Sequence, residues 1–192
     1  HALWALDGMG VWDEALVLCA ISDKDMDLRL AALRVAGEHL LIKQASDALL
    51  NAVAQSLPDD DLDVAAQRLL SLSFYRKQTK AYTVRSGHIE RVINAAGKFI
   101  DEEIIAKAFM VALSPAEYIP ALELLSKETR YHDTHPLPKH LAFACFALAD
   151  QESSFTALLD FTAQAESGFR ASVRQGFRLG TQGGRSVSRD LI

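Results

Sequence analysis

Residues 1–10 read HALWALDGMG, and they carry an apolar helical pattern from the outset, with Leu3 and Leu6 one turn apart and Gly8 and Gly10 placed to close the helix. Related stretches recur along the chain. Leu3 aligns with Leu33 in AALRVAGEH, Leu69 in AQRLLSLSF, Phe109 in AKAFMVALS, Phe143 in LAFACFALA and, more weakly, Val173 in RASVRQGF. The steps of 30, 36, 40, 34 and 30 residues between these positions scatter around the length of a two-helix repeat.

Each later stretch is preceded by a second amphipathic segment: DEALVLCAIS from Asp13, ASDALLNAVAQSL from Ala45, HIERVINAAGKFI from His88, PAEYIPALELLSKE from Pro115 and SSFTALLDFTAQA from Ser153. Leu49, Leu50, Val53 and Leu57 in one, and Ile89, Val92, Ile93 and Ala96 in another, recur at three and four residues, which is helical spacing. No segment alternates as a half-buried strand does. One helix pair of this length cannot bury its apolar face alone, whereas stacked pairs can. The pattern therefore predicts an all-α protein, an α-solenoid of about five helix pairs over residues 1–180, with 181–192 as a linker or tail. It also predicts that the N-terminal repeat is truncated, His1 lying inside a second helix whose first helix is missing.

Turn chemistry fits this reading. SDKDMD and PDDDLD occupy matching places, Asp23 to Asp27 and Asp59 to Asp63, where an aspartate can accept a free N–H at a helix start. Ser114 and Pro115 suit a cap and a first turn, and Gly37 is placed to loosen the end of its helix. The polar stretch RKQTKAYTVRSG, residues 76–87, reads as a long loop on one face of the array or as a helix extension that frays.

Composition narrows the function classes. A hydrophobic share of 49% belongs to a chain that folds, and a net charge of −5 does not offer the overall basic footprint of a nucleic-acid binder. No apolar run approaches the roughly 18–20 residues of a membrane span. Cys19 and Cys145 each lie in an apolar helical stretch, where two small buried hydrophobes are expected. Core or inter-repeat packing is the expectation for Trp4 and Trp12.

The stretch HALWALDGMG followed by SDKDMDLRLAALRVAGEHL resembles HEAT-like (armadillo-like) repeats. More narrowly, it is similar to the HEAT-like segment of bacterial multidomain proteins that resemble membrane-bound or quinoprotein-type dehydrogenases. In those a β-propeller precedes the array and a c-type cytochrome domain with a CxxCH haem motif often follows. Asp23, Asp25, Arg29 and Arg34 match the family's D-x-D turn and arginine-bearing helix, and AFMVALSPAEYIPALELL resembles a later stretch. Arg29 has no counterpart in the later units, where Ala65 and Ile105 stand near the matching place. No CxxCH occurs in this chain, so any haem c would belong to the parent protein. The resemblance implies a non-catalytic scaffold or interaction domain within a larger putative dehydrogenase, exported or periplasmic, whose partners are neighbouring domains or another protein. A HEAT-like enzyme or nucleic-acid-acting repeat protein is the alternative.

Candidate chemistry is sparse. His132, Asp133, His135 and His140 in YHDTHPLPKH supply imidazole and carboxylate, the ligands of zinc and similar ions. Pro136 and Pro138 make that segment an extended connector ahead of a helix from about Lys139, and a solvated loop is the simpler reading. A calcium loop of the EF-hand type needs glycine at its sixth place and glutamate at its twelfth. Counting from Asp23 those places hold Leu28 and Arg34, and from Asp59 they hold Val64 and Leu70, so capping aspartates are expected. There is no G-x-S-x-G elbow, and GTQGG neither follows a strand nor precedes G-K-[ST]. Arg170, Arg174 and Arg178, spaced at four with no acid between them, would line one helix face and suit an acidic neighbouring domain. With Arg185 and Arg189 they make the C-terminal stretch basic against a more acidic remainder.

Overall fold

The structure is a computed structural model that describes residues 2–42, 46–77, 87–131, 135–148 and 152–182. Among these residues there are eleven α-helices and no strand, the class that the three- and four-residue spacing predicts. The chain divides into two compact units, His1–Leu113 and Ser114–Ile192.

The first unit holds α1 (Ala2–Gly8), α2 (Glu14–Ile21), α3 (Met26–Ile42), α4 (Asp47–Ala54), α5 (Leu62–Lys77), α6 (His88–Ala96) and α7 (Glu103–Ala112). Odd helices pack on odd ones: α1 on α3, α3 on α5, α5 on α7. Even helices form a second row, α2 beside α4 and α4 beside α6, which closes over the first. Leu33 and Leu40 of α3, Leu49 and Val53 of α4, Leu69 and Leu72 of α5, and Ile105 and Phe109 of α7 are removed from solvent between the rows. Each such side chain contributes about 1.5–3 kcal/mol by burial.

The second unit holds α8 (Tyr118–Leu125), α9 (Pro136–Leu148), α10 (Glu152–Gln164) and α11 (Ser167–Gln182). Here α9 packs along α11, and α8 and α10 lie together against α9. Leu122, Leu137, Leu141, Leu158, Phe169 and Val173 fill the interior. Phe161 and Phe169 meet edge to face at 5.9 Å.

The six positions aligned in the sequence all fall on odd helices. Leu3, Leu33, Leu69, Phe109 and Val173 are buried, and Phe143 is half-buried.

Several helix starts are capped by side chains, among them those that follow the two aspartate turns. Asp13 accepts the Leu16 N–H at 3.1 Å, Ser46 that of Leu49 at 3.0 Å, and Asp61 that of Val64 at 2.9 Å. Asp25 accepts from Asp27 and Leu28 at 3.0 and 3.3 Å, opening α3.

Several expectations change. Gly37 does not loosen a helix end: it lies inside α3, where a Cβ would come within 3.1 Å of Ser71 and Phe74 on α5. Ser71 Oγ uses that close approach to donate to the Leu33 carbonyl at 2.7 Å. Helix α9 begins at Pro136, ahead of the expected Lys139, because proline is at home in a first turn. Helix α11 continues through Gly180 to Gln182, and Gly176 and Gly180 bring it onto α9: a Cβ on Gly176 would sit 2.3 Å from the Lys139 carbonyl oxygen. Cys19 is exposed while Cys145 is buried, and both are free thiols. Trp4 is 46% exposed and is not a core residue, although Trp12 is half-buried.

Candidate functional site

The most elaborate polar arrangement among the described residues lies in the first unit, where α3 meets the turn before α5. Arg29 sits one helical turn after the Asp25 cap and points into the protein. Its Nη2 donates to Oδ2 of Asp59, and its Nη1 donates to Asp59 Oδ1 at 3.2 Å and to Asp60 Oδ1 at 2.6 Å. The other oxygen of Asp60 accepts from Arg68 Nε at 2.9 Å and from the Leu57 backbone N–H at 2.8 Å. Arg68 then reaches back from α5 to the carbonyls of Ala52 and Val53 at the end of α4, at 2.9 and 3.2 Å.

Two guanidinium groups and two carboxylates thus share one site, and their formal charges cancel. The hydrogen bond from Arg29 holds the Asp59 carboxyl below the usual carboxylate range. That same bond raises the Arg29 guanidinium above its ordinary value, against burial, which acts the other way. All four carboxylate oxygens are engaged, while Arg29 Nε and Arg68 Nη2 are buried without a hydrogen-bond partner among the described residues, and the cluster joins α3, α4 and α5.

Sequence reasoning assigned capping to both aspartate turns. That holds for Asp25 and Asp61 but not for Asp59 and Asp60, which face the arginines instead. Arg68 escaped notice altogether. A signal existed, since it stands at i+4 from Val64 and beside Leu69 and Leu72 on the apolar stripe of α5, where an ordinary surface arginine does not belong.

The histidine segment is only partly described. His132 and Asp133 lie outside the described residues. His135 is buried, meets Tyr131 edge to face at 5.1 Å, and accepts the Leu137 N–H on Nδ1 at 3.1 Å, so this nitrogen caps the start of α9. His140 is half-buried on the same helix. Among the described residues no three His, Cys, Asp or Glu side chains come together as metal ligands would.

Helix α11 carries Arg170, Arg174 and Arg178 on the face opposite Phe169, Ser172, Val173 and Gly176. Arg170 is half-buried and its Nη2 donates to the carbonyls of Ala163 and Ala165 at 3.1 and 2.7 Å, closing the end of α10. Arg174 and Arg178 are exposed.

Two further histidines have defined roles that the sequence did not signal. His39 on α3 stacks on Trp12 at 3.6 Å and pairs through Nε2 with Asp7 of α1 at 3.1 Å. His88, fully buried at the start of α6, lies 3.2 Å from the Ala112 carbonyl, so its Nε2 carries the proton and donates.

A groove of about 820 Å³ runs between α1, α2 and the first half of α3. Leu3, Leu6, Leu16, Ala20, Leu28 and Ala31 give it an apolar lining. Asp23, Asp25 and Asp27 gather at the α2–α3 turn, and Arg34 stands about 10 Å further along α3 at 1.5 Å per residue. The Arg34 guanidinium lies 5.9 Å from the Trp4 ring centroid.

No protein-family description, curated protein or solved structure matches this chain. Within the described residues no single helix is long and apolar enough to cross a membrane.

Proposed function

We propose that this chain is a non-catalytic HEAT-like repeat scaffold, an α-solenoid segment that holds neighbouring domains of its own protein or a partner protein. The observation that carries the reading is the two-row packing of alternate helices in the first unit, with the aligned positions Leu3, Leu33, Leu69 and Phe109 buried on its odd row, and Val173 buried on α11 within the second unit. The polar side chains support it as well. Arg29, Arg68, Asp59 and Asp60 are spent on joining helices, and Asp25, Asp61 and His135 on starting them.

The resemblance of residues 1–40 to the repeat segment of dehydrogenase-like, cytochrome-bearing bacterial proteins supports the reading of a scaffold within a larger redox protein on the exported side of the membrane. Haem and substrate chemistry would then belong to other domains. The exposed Arg174 and Arg178, with Arg170, are the proposed contact for an acidic neighbour, since guanidinium pairs well with carboxylate.

Two measurements test this. Sequencing the gene past the codon for Ile192 is expected to reveal a CxxCH motif, and its product to stain for covalent haem. An uninterrupted sequence without that motif overturns the redox parent. Cross-linking with mass spectrometry on the whole gene product is expected to join α11 to an acidic domain, and Arg174→Glu with Arg178→Glu to abolish those links. Links that survive charge reversal overturn the arginine contact.

A further inference from the structure

In the first unit the odd helices offer one another much the same apolar face, with Leu3, Leu33, Leu69 and Phe109 buried at matching places. Apolar burial has no direction, so these stripes by themselves do not say which helix lies beside which. The charged cluster does discriminate. The steps of 36 residues from Leu33 to Leu69 and 40 from Leu69 to Phe109 let each of its members be followed along the row. Arg29 of α3 matches Ala65 of α5 and Ile105 of α7. Asp60, in the turn before α5, matches Lys24 before α3 and Ile100 before α7. Arg68 of α5 matches Ala32 of α3 and Ala108 of α7. Ala65, Ile100 and Ala108 are all buried. The α5–α7 junction is therefore apolar at the three places where the α3–α5 junction is ionic.

We propose that Arg29, Asp60 and Arg68 form a pairing key, which admits α5 and rejects α7 as the neighbour of α3. Beside α5 the key closes, with Asp60 taking Arg29 Nη1 at 2.6 Å on one oxygen and Arg68 Nε at 2.9 Å on the other. Beside α7, Arg29 would be buried where Ile100 stands in place of the carboxylate, and a buried charge without its partner is strongly destabilising. Asp101, the next residue in that turn, matches the helix-capping Asp61 and not Asp60. A key of this kind acts by penalising the wrong arrangement. Arrays of similar helices need one, because misassembly between like units is their characteristic failure. Its signature differs from that of a stabilising contact. A buried ion set replaced whole by apolar side chains of similar volume often leaves stability unchanged or raised, whereas removing one member is costly.

The test replaces the set whole, as Arg29→Met with Asp60→Leu and Arg68→Met, in the full chain. The triple variant is expected to keep the far-UV circular dichroism and the urea midpoint of the native protein, or to exceed that midpoint. Asp60→Leu alone is expected to lower the midpoint. Amide NMR of the native protein is expected to give one peak per residue, and the triple variant to show a second set of peaks from α3, α5 and α7, in slow exchange with the first. A single set with native dispersion in the triple variant overturns the proposal, because the order of helices is then fixed without the ions. Loss of helix, or a lowered midpoint in the triple variant, also overturns it, because the cluster then supplies stability and not choice. The key concerns packing within the first unit, so it fails or holds separately from the arginine contact on α11 and from the redox parent.

Discussion

Arg29 Nη1 lies 2.6 Å from Oδ1 of Asp60, and both side chains are 1% exposed although 31 residues separate them in sequence. Asp60 is the centre of the cluster, since Arg68 and the Leu57 N–H occupy its second oxygen. Removing its carboxylate leaves the buried Arg68 with backbone carbonyls alone and the buried Arg29 with Asp59 alone. Asp60→Ala is expected to lower unfolding free energy by about 3–5 kcal/mol, the usual result of breaking a buried pair by deleting one partner. Asp59→Ala should cost much less, because the Asp59 side chain is 60% exposed. Urea denaturation of the three proteins gives the order, and equal losses would contradict it.

Asp59 also sets an acid limit. Its folded value lies below the ordinary 3.8, so the pairing is fully present above that pH and is lost as pH falls through the folded value. Unfolding midpoints of the native chain and Asp59→Asn, measured from neutral pH downward, should differ at neutral pH and converge in acid. Parallel curves would remove Asp59 from this role.

Two glycines should respond in opposite ways to the same change. A Cβ on Gly176 would sit 2.3 Å from the Lys139 carbonyl oxygen and 2.8 Å from the Ala142 Cβ, so α11 must move away from α9. Gly176→Ala is expected to lose about 1–3 kcal/mol through overpacking despite the better helix propensity of alanine. Gly8 has nothing within 4 Å of the corresponding position, and Gly8→Ala is expected to be neutral or to stabilise by up to about 1 kcal/mol. Thermal melts of both variants check the contrast.

Thiol chemistry separates the two cysteines. Cys145, its thiol pushed up to about 12 by burial, is on the order of 10⁻⁴ thiolate at pH 8. A chromogenic disulfide reagent should therefore titrate one thiol in the native protein and two in denaturant. Mass spectrometry of the labelled native protein should place the label on Cys19.

How far the sequence reaches can be judged residue by residue. The spacing that aligned Leu3 with Leu33, Leu69, Phe109 and Val173 is a local property, since a 3.6-residue period decides which side chains share a face. Those positions are buried on alternate helices. The caps at Asp25 and Asp61 were legible for the same reason, each bonding within three residues. Arg170, Arg174 and Arg178 do share a helix face, but the bonds of Arg170 to the end of α10 were not visible from spacing.

What the sequence by itself determined is the all-α class, the places of the helices and most of their apolar faces, because helix periodicity and capping act over one turn of chain. The tertiary structure alone decided the partners of Arg29, Arg68 and Asp60, the tight crossings at Gly37 and Gly176, and the exposure of Cys19 and Trp4. Each of these depends on which helix lies alongside which, and contact between residues of different helices leaves no periodic trace in a single chain.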